Sequence, residues 1–364
     1  MNLDILLVAL TTAWATALIG IFLVLRKLSM LTDAIAHTVL LGIVVMFMWV
    51  RDLNSPWLLL GASVSGVVTV FMIERVRRIR LVKEDAAIGL VMTFLFSVAI
   101  ILLSTRLRNV HLHIDTVLLG QLEFVMFERT TLFNVSLPTS FWVMLVVLIL
   151  NSLFMLVLFK EYKLLSFDQT LAKLLGFTPW LLHYLFMTLI SLTAVAAFNA
   201  VGAIMVIAFM VGPVMSARLL THRMKPLIGL SLAVATFNAF IGYLIAFAFD
   251  LNTSASMATL TLATFILILL FSPYQGIFKR LRRQAHQRKN LEMLTLMHHI
   301  NTHHQHGEAA LECHVETLHH HFAWPHTKMQ KVLASMQKKQ YLIEKNAIIS
   351  LSPRGDEYYR KHKE

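Results

Sequence analysis

Apolar runs of about twenty residues follow one another along most of this chain, and they restrict its fold more than any other feature. A helix needs about 20 apolar residues to cross a bilayer. Charged residues make up only 14% of the 364 residues, compared with roughly 25% in soluble proteins. The sequence therefore predicts an all-α polytopic membrane bundle of eight or nine transmembrane helices, near residues 5–25, 30–50, 56–73, 86–104, 139–159, 181–198, 200–217, 227–249 and 256–273.

Basic residues are distributed unequally between the loops that join these segments. When alternate loops are assigned to opposite sides, one side collects 17 Lys and Arg residues and the other collects four. The positive-inside rule makes the first side cytoplasmic. We therefore expect a multi-pass protein of the cell inner membrane, with its N-terminus outside and everything after Pro273 inside. The formal net charge of +12 is thus a topology signal more than a nucleic-acid signal.

The composition changes to that of a soluble domain after Arg283. Apolar residues recur there at helical spacing and then in two short β-prone stretches. The predicted order is helix, helix, helix and hairpin, near residues 291–300, 311–321, 325–338 and 341–351. This order favours a small cytoplasmic winged helix-turn-helix domain. We divide the chain into a transmembrane domain, a basic linker and a winged-helix-like domain, at residues 1–276, 277–290 and 291–364.

Asp33 and His37 lie four residues apart at the start of an otherwise apolar segment. On a helix both side chains point the same way. Ionisable residues inside membrane segments are costly and mark an ion or substrate path by default, and a carboxylate with an imidazole suits manganese, zinc or ferrous iron. The alternative is that Asp33 caps the helix while His37 finds a polar partner in the bundle.

Several stretches of this sequence resemble the zinc/manganese/iron ABC permease family in order and spacing. They are GIFLVLRKLSMLTDAIAHTVLLG, KEDAAIGLVMTFLFSVAIILLS, HLHIDTVLLGQL and VGAIMVIAFMVGPVMSARLLTHR, at residues 20–42, 83–104, 111–122 and 201–223. The resemblance covers about residues 12–276. It implies a type II ABC importer with two permease subunits, identical or paralogous, a cytoplasmic ABC ATPase dimer and an external metal-binding protein.

The resemblance also implies roles for particular residues. Asp33 and His37 match the acid and histidine that hold the metal within the channel. One segment matches the family's contact with the ATPase, and it consists of Ala217, Arg218, Leu219, Leu220 and Thr221. An ordinary basic loop is the alternative for that segment.

A further polar cluster, His111, His113 and Asp115, falls on the predicted external side. These residues are candidates for a first contact site for incoming metal. External loops of many proteins contain such residues, so a plain surface loop is the alternative.

The C-terminal stretch 314–362 resembles the DNA-binding winged helix of the iron- and manganese-dependent repressors. Lys328, Lys331, Lys338 and Lys339 are its candidate phosphate contacts. The repressors also need a dimerisation and metal-sensing region, for which no chain remains here, and the small net charge of the domain disfavours DNA binding. We therefore expect regulation of the transporter, or docking to it, ahead of DNA binding.

The same tail carries twelve of the seventeen histidines. His299 and His303 are four apart on a predicted helix, a spacing that can share a metal ion. A solvated surface is one interpretation, and a cytoplasmic metal sensor that slows import is the other.

The predicted function is the membrane pore of an ATP-driven importer that moves a divalent metal ion, Mn, Fe or Zn, into the cytoplasm. The chain lacks a G-x-x-x-x-G-K-[ST] phosphate loop, so we expect a permease subunit without enzymatic activity and without a resident cofactor, beside a partner ATPase. Two alternatives remain at this point. One is an ATP-independent metal carrier, and the other is a membrane-tethered, metal-responsive transcription regulator.

Overall fold

The structure is a computed structural model with side chains. It describes the whole chain except residues 1–2, 53–54, 56, 79–81, 107–121, 133, 274–275, 307–308, 316–317, 323, 346 and 363–364. The chain divides into two compact units, Met1–Gly276 and Ile277–Glu364.

The first unit is built almost entirely from helices. Its elements are α1 (Leu3–Leu25), α2 (Met30–Val50), α3 (Trp57–Arg78), α4 (Glu84–Arg106), a 3-10 turn (Leu122–Met126), β1 (Arg129–Leu132), β2 (Val135–Pro138), α5 (Thr139–Val157), α6 (Phe159–Phe167), α7 (Gln169–Leu174), α8 (Pro179–Val201), α9 (Ala203–Leu220), α10 (Met224–Phe249) and α11 (Thr253–Phe271). Strands β1 and β2 pair antiparallel.

Eight helices of the described residues are long and apolar enough to cross a membrane, namely α1, α2, α4, α5, α8, α9, α10 and α11. A further long helix, α3, occupies the third predicted segment. Each helix coincides with a predicted apolar run, which confirms the polytopic membrane bundle. The break between the sixth and seventh segments falls at Gly202, whose φ of +83° favours glycine.

Helix α1 lies at the centre of the unit. Its residues from Ala15 to Val24 are all buried, and it packs against α5, α8, α9 and α10. Close approach at one of these contacts depends on Gly20, where an added Cβ would lie 2.0 Å from the backbone oxygen of Met210. Helices pack this closely in membranes where small residues face one another.

Helix α2 is held between α3 and α4. Gly42 of α2 faces Gly61 of α3, and a Cβ on Gly42 would lie 2.2 Å from the Gly61 backbone oxygen. One turn away, the Thr69 hydroxyl donates to the Thr38 hydroxyl at 2.7 Å, and the Ser65 hydroxyl donates to the Thr38 carbonyl at 3.1 Å. These contacts orient α2 and so the polar side chains near its N-terminal end.

The second unit comprises α12 (Ile277–Gln305), α13 (Ala309–Glu312), α14 (Leu318–His321), α15 (His326–Lys338), β3 (Leu342–Lys345), β4 (Ile348–Leu351) and α16 (Pro353–His362). Strands β3 and β4 form an antiparallel hairpin. The residues of the predicted basic linker, 277–290, belong to the 29-residue helix α12.

The core of this unit forms where α12 meets α15. Met293, Leu296, Met297 and Ile300 of α12 pack with an apolar face of α15, which consists of Met329, Val332, Leu333 and Met336. The single helix expected over 311–321 is wrong. It is replaced by α13 and α14, because the chain between them pairs with β4 through a bridge from His314 to Ile348.

Candidate metal-binding sites

Asp33 and His37 lie on one face of α2, within two turns of its start. His37 Nε2 is 3.6 Å from Asp33 Oδ1, and the two side chains are 36% and 48% exposed. The His37 ring meets the ring of Phe96 of α4 edge-on, with centroids 5.6 Å apart. The predicted shared direction of the two side chains is therefore observed.

The position of Asp33 argues against the capping alternative. The cap position of α2 is Ser29 and the helix begins at Met30, so Asp33 belongs to the first full turn. Its carboxylate is directed toward His37.

Within the described part of the chain, the Asp33–His37 pair offers two ligands to a metal. Among the residues that the structure describes, the one group of three or more His, Cys, Asp or Glu side chains arranged to hold a metal lies elsewhere, at His299, His303 and Glu312. Divalent transition metals in proteins take four or more ligands. His111, His113 and Asp115, the predicted first contact for metal, lie outside the described residues.

The predicted ATPase-contact segment is the last turn of α9 and its C-cap. Ala217 is fully buried, whereas Arg218 is exposed, and Leu219 and Leu220 are half-buried. The chain turns at Thr221, whose hydroxyl accepts from the Arg223 backbone N–H at 3.2 Å. A partner at this end of the bundle can therefore reach Arg218 and the following turn, but not Ala217.

Two short helices that sequence reasoning missed, α6 and α7, join α5 to α8 on the side predicted to be cytoplasmic. They carry large apolar side chains in the open, with Phe167 69% exposed and Leu174 80% exposed. Asp168 caps α7 by accepting from two backbone N–H groups at 2.9 Å. The signal in the sequence was a set of large apolar residues within a charged loop.

A buried ionic network, also missed, joins three parts of the membrane unit. His183 Nε2 of α8 lies 2.6 Å from Glu74 Oε2 of α3, and Arg26 Nη2 donates to His183 Nδ1 at 2.8 Å. The His183 and Glu74 side chains are only 11% and 14% exposed. The signal in the sequence was Glu74, a single acid beside the arginines at the end of α3.

The histidine pair predicted in the tail, His299 and His303, lies near the end of α12, with ring centroids 4.4 Å apart. Glu312 of α13 brings a carboxylate to them, and His321 of α14 reaches that carboxylate with Nδ1 2.9 Å from Oε2. Burial lowers the pKa of His299 below its ordinary value, so its ring is neutral at physiological pH. The sequence predicted the pair but missed Glu312 and His321.

The four lysines considered for phosphate contact differ in their surroundings. Lys328 Nζ is 2.8 Å from Glu292 Oε1 and lies 4.3 Å from the centroid of the Trp324 ring. Lys339 Nζ lies 3.7 Å from Met293 Sδ, whereas Lys331 and Lys338 are exposed. Two of the four are therefore already engaged within the unit.

Comparison with known proteins connects this arrangement to one family. Residues 2–272 match the ABC 3 transport family. The zinc transport system membrane protein TroD of Treponema pallidum (strain Nichols) is 35% identical over 98% of this chain and 97% of its own length. The manganese transport system membrane protein MntD of Bacillus subtilis (strain 168) is 40% identical over 75% of this chain and 92% of its own length.

A solved structure shares the fold. A chain of PsaBC from Streptococcus pneumoniae, determined in complex with Fab, matches with a TM-score of 0.62 and 25% identity, over 76% of this chain and 93% of that one. The family match covers the whole membrane unit apart from its two ends, and it agrees with the polytopic helical fold. This chain therefore belongs to the ABC 3 transport family, as a multi-pass membrane protein.

Proposed function

We propose that this chain is the permease subunit of an ATP-driven importer and that it carries a divalent metal ion, Mn, Fe or Zn, into the cytoplasm. Membership of the ABC 3 transport family supports the ABC part of this proposal. Relatives named for zinc and for manganese transport support the class of cargo. The observation that carries it is the Asp33–His37 pair, a carboxylate and an imidazole 3.6 Å apart on one face of a membrane helix.

The pair suits a transient transport site. A carboxylate with an imidazole binds Mn²⁺, Fe²⁺ and Zn²⁺ alike, and selectivity among them depends on geometry and availability as well as on ligand type. Both side chains are substantially exposed in the single chain. A second permease subunit, identical or paralogous, would face this surface and supply the remaining ligands, and a half-open site releases metal more readily than a closed one.

The ATPase would dock on the side that carries most of the basic loops. We assign to it exposed Phe167 and Leu174 on the α6–α7 segment and exposed Arg218 at the end of α9. Exposed apolar surface marks contacts with proteins or with the membrane, and we assign this one to a protein. On the opposite side, an external metal-binding protein would deliver the ion.

We also propose that the second unit is a cytoplasmic winged-helix module that docks on or regulates the transporter. Its helix α15 is followed by the β3–β4 hairpin as expected, although two short helices replace the one expected over 311–321. Lys328 is held by Glu292 and Trp324, so a DNA phosphate would have to compete with an existing ion pair. This favours a protein-binding or regulatory role over a membrane-tethered transcription regulator.

The main test is cellular uptake of labelled Mn, Fe and Zn by wild type and by Asp33→Ala and His37→Ala. We expect uptake to fall to background in both variants at unchanged protein levels. Asp85→Ala is the matched control, since Asp85 is an exposed acid in the first turn of α4, and it should transport normally. Full uptake by both Asp33→Ala and His37→Ala would eliminate the proposed site.

A second test separates the importer from an ATP-independent carrier. Proteoliposomes with the permease and its ATPase should take up metal only with ATP, and vesicles with the permease alone should take up none. Uptake by the permease alone would favour the carrier.

A further inference from the structure

Three side chains from two segments converge in the C-terminal unit, and a fourth, from a third segment, contacts one of them. His299 and His303 come from α12, Glu312 ends α13 and His321 ends α14. One ligand atom from each of His299, His303 and Glu312 lies within 4.8 Å of the other two, and His321 Nδ1 is 2.9 Å from Glu312 Oε2. We propose that these four side chains bind one divalent transition-metal ion, with Zn²⁺ preferred.

The distances are within reach of metal coordination. Zinc bonds of 2.0–2.1 Å in a tetrahedron place neighbouring ligand atoms about 3.3 Å apart. The His299 ring centroid lies 4.4 Å from that of His303 and 5.6 Å from that of His321. Metal binding would require side-chain rotations that close the remaining gap.

Contacts around His299 fix its tautomer and restrain its ring. Its Nε2–H donates to the backbone carbonyl of Glu312 at 3.1 Å, so Nδ1 carries the lone pair that a metal requires. Metal-ligating histidines usually donate their second ring nitrogen in this way. The Phe322 ring packs edge-on against His299, with centroids 4.9 Å apart, and covers one side of the site.

The donor atoms favour a cation at this position. An ion pair with Glu312 would need only one histidine, whereas three imidazoles lie around this single carboxylate. Three ring nitrogens and one carboxylate oxygen make up a donor set that suits one divalent transition-metal ion.

The ligand set indicates which ion. Three imidazoles and one carboxylate in four-coordinate geometry suit Zn²⁺, and nitrogen-rich sites bind Zn²⁺ more tightly than Fe²⁺ or Mn²⁺. This site is separate from Asp33 and His37, so the inference stands whether or not the proposed transport function does.

A bound ion would connect the end of α12 to the β3–β4 hairpin. Just after Glu312, the Cys313 carbonyl accepts from the Ile349 N–H at 3.0 Å, and the Val315 N–H donates to the Ala347 carbonyl at 3.0 Å. On α12, His304 Nε2 donates to the Ile349 carbonyl at 3.0 Å. Metal binding should therefore slow local opening of the chain from α13 to β4.

Zinc titration of the purified full-length chain tests the proposal. Asp33→Ala/His37→Ala serves as the background, so that the proposed transport pair cannot contribute. We expect one tail-bound Zn²⁺ per chain, and about 100-fold weaker binding after His299→Ala/His303→Ala. His286→Ala/His306→Ala removes two exposed histidines outside the cluster and should change nothing. Equal stoichiometry and affinity in the two double variants would overturn the proposal.

Glu312→Gln guards against a folding artefact because it keeps the shape of the side chain and removes its charge. We expect at least about tenfold weaker zinc binding, with amide hydrogen exchange unchanged when metal is absent. Added Zn²⁺ should slow exchange between α13 and β4 in the background protein, and the protection should be lost in the Gln variant. Undiminished zinc binding by Glu312→Gln, or no zinc-dependent protection in the background protein, would contradict the site.

Discussion

The Asp33–His37 pair of α2 and the His299–His303 pair of α12 share a four-residue spacing but have different surroundings. The first pair stands at an exposed face of the membrane unit, with no third candidate ligand among the described residues. The second pair is completed by Glu312 and His321 from other segments of the same chain. The spacing alone thus predicts which way two side chains point, but not whether a site is complete.

The difference corresponds to two kinds of metal chemistry. A transport site has to accept and release its ion in each cycle, so ligands contributed by separable surfaces are suitable. A regulatory or structural site holds its ion, and closed sets of four ligands do this.

Substitutions in the two pairs should have separable effects, and this is the largest effect we expect. Asp33→Ala should reduce metal uptake by about 100-fold or more, because no other carboxylate of the described residues joins His37 in a candidate metal site. It should leave zinc binding by the tail unchanged. His303→Ala should weaken zinc binding by the tail and leave the channel able to transport metal. Uptake in cells and zinc titration of the purified chain, run on the same variants, provide the comparison.

A result in which either variant changes both readouts would contradict the independence of the two pairs. Asp85→Ala and His306→Ala are the matched controls for the membrane pair and the tail pair, and we expect neither to move either readout.

The membrane helices could be predicted because each has to satisfy its own backbone hydrogen bonds inside the bilayer. The run predicted at 30–50, for example, is Met30–Val50 in the structure. The α6–α7 segment was missed because its charged residues hide the apolar ones in any average over the loop. Burial in a membrane requires a long apolar run, which is visible locally in the sequence. Short amphipathic surface helices produce a weaker sequence pattern.

The residues of the candidate sites also differ in whether the sequence could predict them. Asp33 and His37 were predictable because helical periodicity is local. Glu312 and His321 were not, because nine residues along one continuous helix correspond to two and a half turns and place them on opposite faces. Pairing of His314 with Ile348 of β4 interrupts that helix and brings the two side chains together. A contact that depends on distant chain cannot be inferred from spacing.

The buried ionic network of Arg26, Glu74 and His183 differs from the Asp33–His37 pair, because all its partners belong to the membrane unit of one chain. Glu74→Ala would leave Arg26 and His183 without their carboxylate and should cost about 3 kcal/mol. Glu74→Gln keeps an acceptor for the His183 N–H and should cost roughly half as much. Thermal unfolding of the purified protein measures both. Equal stability of Glu74→Ala and wild type would show that the network contributes nothing.

A matched pair of glycine variants tests the close α2–α3 contact that positions α2, the helix carrying Asp33 and His37. Gly42→Ala places a methyl 2.2 Å from the Gly61 backbone oxygen, so α2 and α3 must separate, at a cost of about 2 kcal/mol. Gly89→Ala in α4 meets no atom within 4 Å among the described residues and should stabilise its helix by about 0.5–1 kcal/mol. The two melting temperatures should move in opposite directions. Similar shifts would refute the close α2–α3 contact.

The smallest effect concerns Glu292, which ties α12 to Lys328 of α15. Its carboxylate lies 2.8 Å from Lys328 Nζ and 3.4 Å from Arg288 Nε, and the hydrogen bond from Lys328 lowers the pKa of Glu292. A carboxyl with a lowered pKa stabilises the folded unit above its unfolded pKa of about 4.3. That contribution disappears as the pH falls through the folded value.

Glu292→Gln should therefore cost about 1 kcal/mol near pH 7, and this cost should shrink as the pH falls through the lowered pKa of the folded carboxyl. Hydrogen exchange of α12 and α15, compared between the two proteins at each pH, cancels the intrinsic pH dependence of exchange. We expect roughly fivefold faster exchange in the variant at neutral pH, with the difference decreasing as the solution is acidified. A difference that does not decrease at all in acid would mean that the side chain acts through packing and not through its charge.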